Sequence, residues 1–306
     1  MAATARRLTR AWESFFRLRE TWSIGLIHEP ITTLLRSDAR PHVTWFPRAS
    51  GKSLADPFAI AKDGRVYVLC EEFGYGEYKG RIVYFELLDT DHLSKPKVAL
   101  ELPCHLSYPY LLEYRGDIYC VPETHQAREV CLYKALAFPN NWTKVETLLD
   151  DFAGVDPTIF HHEGHWWLTC GDEELSHGWD RLFIWHAEEP KGPWIPHERN
   201  PVKTDIGSSR PAGTPFMYNN NLFRPAQDCS RTYGGRVVLN RIVTLTPTKF
   251  HEEVASIVDP HLGSPYPDGL HTVSSAGNIT LIDGKRFERI ASTMLKWRIE
   301  QFLHPK

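Results

Sequence analysis

Short apolar runs rich in Val, Ile, Tyr, Phe and Trp recur along the whole chain, each bounded by Gly, Pro, Asn or charged residues. Runs of this length and composition predict β-strands throughout. One phrase is written four times. It opens on a dipeptide ending in Pro, passes a turn and an apolar run, and ends on carboxylates or amides. The copies are Asp56-Pro57, Gly64, a run at 66–70 and Glu71-Glu72; Tyr108-Pro109, Gly116, a run at 118–122 and Glu123; Asp156-Pro157, Gly164, a run at 166–170 and Gly171-Asp172; and Thr214-Pro215, Asn221, a run at 222–226 and Gln227-Asp228. Their prolines are 52, 48 and 58 residues apart. Self-similarity at such a period signals a repeat architecture.

Each copy divides into four predicted strands. The first copy places them at 58–62, 65–70, 81–87 and 97–102, with a glycine-rich hairpin (Gly74, Gly76, Gly80) between the second and third. A fifth, degenerate copy starts near His271-Thr272 and runs through Gly277 and the apolar run at 279–282 to an expected turn at Asp283-Gly284. Two N-terminal segments, 22–27 and 42–46, have no copy of their own, and one of them is expected to complete the fifth sheet. Four-stranded units repeated five times predict an all-β, five-bladed β-propeller over 22–300. Residues 1–21 are basic and weakly amphipathic (Leu8, Trp12, Phe15, Phe16) and predict a short N-terminal helical extension. The first strand of each propeller blade lies nearest the axis, so Asp56, Tyr108, Asp156 and Thr214 are expected to converge at one end of the central channel.

With 306 residues, 42% of them hydrophobic, the chain has ample material for one large domain. A formal net charge of -3 argues against a nucleic-acid partner. No apolar run reaches membrane-spanning length, and no secretory signal is evident. Six Cys occur without a CxxC pair, and Cys70, Cys120, Cys170 and Cys229 fall near the polar ends of the repeats. They read as small apolar residues in strands, in a reducing, cytoplasmic setting.

The repeated acids carry the candidate chemistry. Asp56, Glu71, Glu72, Glu123, Asp156, Asp172 and Asp228 fall at strand ends in related places. Glycosidic bond chemistry needs two carboxyl groups, one protonated to serve the leaving oxygen and one ionised. Carboxylates crowded in a desolvated pit split their pKa values and supply both forms. The competing reading is local, since an Asp before Pro also caps a turn. His105, Tyr108, Arg210, Gln227, Asp228 and His271 are candidates to hydrogen-bond sugar hydroxyls, or an anion through Arg210; the competing reading is a network that fastens neighbouring blades. An excess of acid is compatible with a bound divalent cation, but no metal ligands are assigned and no organic cofactor is implied. His161-His162-Glu163-Gly164-His165 lacks metalloprotease spacing and lies on a predicted hairpin. Gly74-Tyr75-Gly76 precedes no helix, and Ser208-Ser209 has no nucleophile-elbow context.

Asp-Pro opening the first and third copies, with Gly192-Pro193-Trp194 late in the third, resembles the five-bladed propellers of glycoside hydrolase family 43 and its relatives. That resemblance implies that Asp56 is the base and that Asp156 tunes the acid. Where those enzymes carry the general acid Glu, this chain reads Ser209-Arg210-Pro211-Ala212-Gly213, and Glu123 is the replacement candidate. The phrases at 22–27, Ala55-Asp56-Pro57-Phe58, His105 to Pro109, Pro122-Glu123, Gln227-Asp228-Cys229 and Tyr233-Gly234 are similar to the N-terminal domain of glucosamine inositolphosphorylceramide transferases, over nearly the whole chain. This second resemblance implies sugar handling. The expectation is a carbohydrate-active protein that forms or cleaves a glycosidic bond with Asp56, Glu123 and Asp156 at its centre, acting on a sugar or nucleotide sugar. The alternative is a non-catalytic glycan-binding propeller serving a partner glycosyltransferase.

Overall fold

A computed structural model describes residues 16–36, 38–89, 91–260 and 263–291. Among these, the strands form five sheets around a common axis. Blade one is β3 (Lys52–Lys62), β4 (Arg65–Gly74), β5 (Lys79–Leu87) and β6 (Lys97–Leu100). Blade two is β7 (Ser107–Tyr114), β8 (Asp117–Glu123), β9 (Glu129–Ala137) and β10 (Asn141–Asp150). Blade three is β11 (Gly154–His162), β12 (His165–Asp172), β13 (Arg181–Ala187) and β14 (Ile195–Pro196), with β15 (Lys203–Thr204) also paired to β13. Blade four is β16 (Phe216–Tyr218), β17 (Asn221–Asp228), β18 (Arg236–Leu245) and β19 (Phe250–Val258). Blade five joins β20 (Val273–Ala276) and β21 (Ile279–Ala291) to β1 (Phe16–Ile27) and β2 (Thr44–Trp45).

The fifth blade closes the ring with both N-terminal segments rather than one. β1 pairs with β21 antiparallel from Phe16↔Ala291 to Ile27↔Thr280, and β2 adds the outer edge. Two expectations change here. Phe16 to Thr21 extend β1 instead of a helix, because β21 is long enough to pair with them; residues 1–15 of the expected helix lie outside the described residues, as do 292–300 of the expected propeller span. The expected turn at Asp283-Gly284 is also absent. β21 runs straight through it, and Gly284 leaves room for the Trp45 ring and the Tyr266 Cβ, which would collide with a Cβ there.

Apolar layers between blades hold the ring. Ile24 and Leu26 pack with Val68, Val83 and Phe85 between blades five and one, while Trp167, Leu182 and Ile184 meet Leu222, Ile242 and Leu245 between blades three and four. Each such side chain contributes about 1.5–3 kcal/mol through burial. Cys70, Cys120, Cys131, Cys170 and Cys229 are buried free thiols. Among the described residues no helix is long and apolar enough to cross a membrane.

Candidate functional site

The inner strands of blades one to three share one local device. Asp56, Tyr108 and Asp156 have left-handed backbones, with φ of 53°, 44° and 50°. Each precedes a Pro, and each lies in a break of register, between Ala55 and Phe58, Ser107 and Tyr110, and Val155 and Thr158. An inner strand has a partner on one side only, so it tolerates a Pro without an N–H. The bulge turns the N–H of the residue before Pro away from its own sheet, and a carboxylate of the preceding blade accepts it. Asp56 N donates to Asp283 Oδ2 (3.1 Å), Tyr108 N to Asp56 Oδ2 (3.2 Å) and Asp156 N to Glu123 Oε2 (3.0 Å). A left-handed non-glycine residue costs on the order of 1–3 kcal/mol, and such strain collects at functional sites. Blade four departs from the pattern: Gly213 (φ 120°) is packed against the backbone of Val273, where no Cβ fits.

Strand alternation decides which acids reach the axis. Successive side chains point to opposite faces, so only one of each adjacent polar pair can enter. Glu71, Glu123, Gly171, Gln227 and Asp283 hold the equivalent inward place at the ends of the second strands. Glu72 instead meets Lys52 Nζ (2.7 Å) and Arg81 NH2 (2.8 Å). Asp228 pairs with Arg236 (2.8 Å), and Asp172 accepts the N–H of Glu174 (3.1 Å). Glu72, Asp172 and Asp228 therefore stand outside the axial cluster. Tyr108, expected to hydrogen-bond a sugar, has its hydroxyl engaged within the protein. Its hydroxyl crosses the channel, meeting Thr158 Oγ1 (2.8 Å) and accepting the N–H of Gly213 (2.7 Å), and with Phe58 stacked edge-on it forms the floor.

The axial cluster joins Asp56, Glu71, Glu123, Asp156 and Asp283 to Arg210, Gln227 and His271. Arg210 Nε lies 2.5 Å from Asp156 Oδ2, its NH1 donates to the carbonyl of His177 (3.0 Å), and its NH2 stands 3.8 Å from Glu123. Gln227 Nε2 donates to the same Asp156 oxygen (2.8 Å) and to the carbonyl of Pro211 (3.1 Å). Asp56 Oδ1 accepts the Thr272 hydroxyl (2.6 Å). His271 Nδ1 is 2.5 Å from Asp283 Oδ2 and Nε2 is 3.6 Å from Asp56 Oδ1.

Electrostatics separate these carboxyls. Burial raises Asp156 to about 8 against the pull of Arg210, with Glu123 and Asp56 adding to the rise. Burial also raises Asp56, and raises Glu71 well above the carboxylate range with Asp56 and Glu123 adding. Glu123 goes the other way. Burial opposes its charge, but His125 Nδ1 at 2.8 Å, Arg210 and the N–H of Asp156 outweigh it and hold Glu123 at about 2. Burial likewise opposes a charge on His271, yet Asp283 and Asp56 raise it overall. Asp56, His271 and Asp283 each offer one ligand atom within 4.8 Å of the others, the one grouping among the described residues that could hold a cation. Their oxygens already accept the N–H groups of Asp56, Tyr108, His271 and Thr272 and the Thr272 hydroxyl, which suits an imidazolium between two carboxylates better than a metal.

Aromatic side chains border the cluster. Trp22 stacks on His271 (4.0 Å), Tyr233 meets His271 edge-on (5.4 Å), Trp179 stacks on Tyr233 (5.8 Å), and Arg210 lies over Tyr233 (5.2 Å). Lys285, with a fully buried side chain, fastens the Tyr233 segment through Thr232 Oγ1 (3.0 Å) and the Tyr233 carbonyl. Gly234 is required there, since a Cβ would stand 2.7 Å from Trp22 and 2.8 Å from His271. Sequence reasoning passed over Asp283, His125, Trp179, Tyr233 and Lys285 as site residues. Asp283 was marked by its place at the end of the apolar run at 279–282; His125 lay two residues beyond Glu123. Of the residues it singled out, Asp56, Glu71, Glu123, Asp156, Arg210, Gln227 and His271 come together, and His105 stands at the edge, 3.5 Å from Glu71.

Residues 42–263 match the family described as "Glucosamine inositolphosphorylceramide transferase 1, N-terminal". Over 206 residues the chain is 34% identical to the glucosamine inositolphosphorylceramide transferase 1 of Arabidopsis thaliana, covering 65% of this chain and 26% of that protein. The counterpart in Oryza sativa subsp. japonica is also 34% identical, over 205 residues, 65% of this chain and 27% of that one. The chain thus spans about a quarter of the length of these relatives. Among solved structures, Zg3597, a family 117 glycoside hydrolase of Zobellia galactanivorans, superposes with a TM-score of 0.55 at 16% identity, covering 88% of this chain and 90% of that one. The catalytic domain of the Coprinopsis cinerea GH62 α-L-arabinofuranosidase gives 0.54 at 13% identity, covering 89% and 98%. At these identities the likeness is one of fold.

Proposed function

Since the chain belongs to the glucosamine inositolphosphorylceramide transferase 1 N-terminal family, we propose that its axial cluster is a carbohydrate site that makes or breaks a glycosidic bond. One observation carries this reading: a single cluster places Glu123, which His125 Nδ1 and the N–H of Asp156 contact and which nearby Arg210 helps favour in its ionised form, beside Asp156 and Glu71, whose carboxyls burial pushes toward the protonated form. Acid and base work on one glycosidic oxygen and one acceptor needs both forms at once. The names of the plant relatives and of the structural neighbours agree with a sugar ligand.

In this proposal Glu123 is the ionised carboxylate that stabilises positive charge at the sugar carbon and takes the acceptor's proton. This differs from the donor role expected for it, because His125 Nδ1 and the N–H of Asp156 already contact its two oxygens and Arg210 stands nearby. Asp156 positions Arg210, and Asp56 ties blades five, one and two together at the base of the site. Tyr233 and Trp179 offer faces for a sugar ring, and His105 lies at the rim. The test is a panel of mono- and disaccharides and nucleotide sugars, read by chemical-shift changes of the Trp22, Trp179 and Tyr233 signals and by product analysis. Binding with turnover is expected. A panel that moves none of these signals rules out a sugar site here.

A second reading rests on its own observation. Asp283, Asp56 and Glu123 each accept an N–H of the next blade, so the same acids serve as fasteners. A glycan-holding module that serves a partner glycosyltransferase needs only that network and the aromatic rim. Binding without turnover in the same panel selects it.

A further inference from the structure

The inward ring of second-strand residues contains one carboxyl without a structural partner. Glu123 is held by His125 and Asp156 N, Gln227 by Asp156 and Pro211, and Asp283 by the N–H groups of Asp56, His271 and Thr272. The Glu71 side chain makes no hydrogen bond among the described residues, and His105 Nε2 stands 3.5 Å from its Oε1. The Glu71 side chain retains 12% exposure, whereas those of Glu123 and Asp156 retain 6% and 3%. Glu71 is thus the open member of the ring: the fold engages the other carboxyls, and this one is left at the rim to meet a ligand.

The surroundings make room for it. Gly80 lies against Glu71 Oε1, the Leu106 carbonyl and the His105 ring, where any Cβ would collide. The N–H of Gly80 donates to His105 Nδ1 at 2.9 Å, which makes Nδ1 the acceptor nitrogen. Burial lowers His105, so its ring is neutral near pH 7 and carries its proton on Nε2. Nε2 stands 3.5 Å from Glu71 Oε1, on one side of the carboxyl, and Oε2 is the oxygen on the other side.

We propose that Glu71 is the proton donor of the axial site, with His105 as the residue that positions it; the role rests on the reading of this site as one of glycosidic chemistry. The Oε2 proton passes to the glycosidic oxygen as the bond from the anomeric carbon to that oxygen breaks, and the bonding pair stays with the leaving oxygen. Water or a sugar hydroxyl attacks the same carbon and gives its proton to Glu123. Glu71, now ionised, recovers a proton from solvent, and Glu123 releases one. This places a donor on blade one, in a chain whose blade-four segment presents Arg210 instead of an acid.

Matched 2,4-dinitrophenyl and methyl glycosides test the proposal with the full chain. Dinitrophenolate leaves without protonation, and a methoxide does not. Glu71→Gln is expected to slow methyl glycosides at least about 100-fold more than dinitrophenyl glycosides, the low end for a lost general acid. His105→Gln is expected to move the alkaline limb of the pH–rate profile upward, because it removes an N–H that favours the Glu71 carboxylate. If wild-type protein turns over the panel and Glu71→Gln slows both substrates equally, or neither, the donor role is overturned while the glycosidic reading stands. Wild-type protein that turns over no glycoside overturns the glycosidic reading and the donor role with it. Carboxyl carbon NMR gives an independent outcome. A Glu71 signal titrating in the ordinary carboxylate range overturns the donor role whatever the kinetics, and one titrating well above it, absent in Glu71→Gln, supports it.

Discussion

Arg210 reaches from blade four to place its Nε 2.5 Å from Oδ2 of Asp156 in blade three, and its NH2 stands 3.8 Å from Glu123 of blade two. The guanidinium thus crosses two blade seams. With Asp156 protonated, the guanidinium holds the seam through its buried hydrogen bonds to Asp156 Oδ2 and the His177 carbonyl, and leaving those acceptors unpaired costs about 1–3 kcal/mol. Arg210→Met is therefore expected to lower stability by about that much, read as a shift of the urea midpoint at constant slope. Arg210→Lys is expected to recover less than half, because an ammonium cannot span Asp156 and the His177 carbonyl together. A loss under about 1 kcal/mol for Arg210→Met would show that the pair is not holding the seam.

The pH dependence of stability follows from Asp156 and Glu123 with opposite signs. Asp156 titrates at about 8 in the folded chain against an ordinary 3.8, so the folded state binds this proton more tightly. Its contribution is complete below about 4 and is lost as pH rises to about 8. His271, also raised, adds in the same direction. Glu123, held at about 2 against 4.5, contributes above its ordinary value and loses that contribution as pH falls toward 2. The urea midpoint is expected to fall between about pH 5 and 8, and Asp156→Asn is expected to flatten that slope. A midpoint that rises across the window contradicts the assignment.

The repeat was legible because each blade must bury two faces with the same short strands, so apolar runs and turn residues recur in step. Asp56 and Asp156 were legible for a related reason, since the dipeptide with Pro marks the bulge that turns them toward the axis. Period two hid the rest. Glu71-Glu72 and Gln227-Asp228 look equivalent as text, but only one member of each pair can face inward, and the register that chooses is set by pairing with the neighbouring strand. Asp283 was read as a turn beside Gly284, because nothing local reveals that β1, from the far end of the chain, pairs across it. Tyr233 and Lys285 were hidden for the same reason: their meeting joins a loop of blade four to a strand of blade five.

Tyr108 tests the floor of the channel. Its hydroxyl accepts the Gly213 N–H at 2.7 Å and meets Thr158 Oγ1 at 2.8 Å. Tyr108→Phe leaves that buried N–H without an acceptor, which costs about 1–3 kcal/mol. Thermal melts are expected to show this loss, while saccharide affinity in the folded protein stays within about twofold because the ring still closes the channel. A large loss of affinity with unchanged stability would put Tyr108 in the ligand-binding set.

Gln227 and Asp228 test the inward ring itself, since adjacent residues of β17 face opposite ways. Asp228 pairs with Arg236, whose side chain is partly exposed, and Ser230 N donates to it at 2.9 Å. Asp228→Asn is expected to cost under about 1 kcal/mol and to leave saccharide affinity unchanged. Gln227 is fully buried, and its amide N–H groups bridge Asp156 and the Pro211 carbonyl. Gln227→Ala removes a donor from Asp156, so it is expected to weaken saccharide binding and to raise the pH at which the loss of stability is complete. Fewer donors to the carboxylate favour the protonated acid, which fixes that sign. Calorimetric titration and urea melts across pH measure both. Equal effects from the two substitutions would mean that the strand is not presented to the axis as described, and the division of acids into inward and outward sets would fall with it.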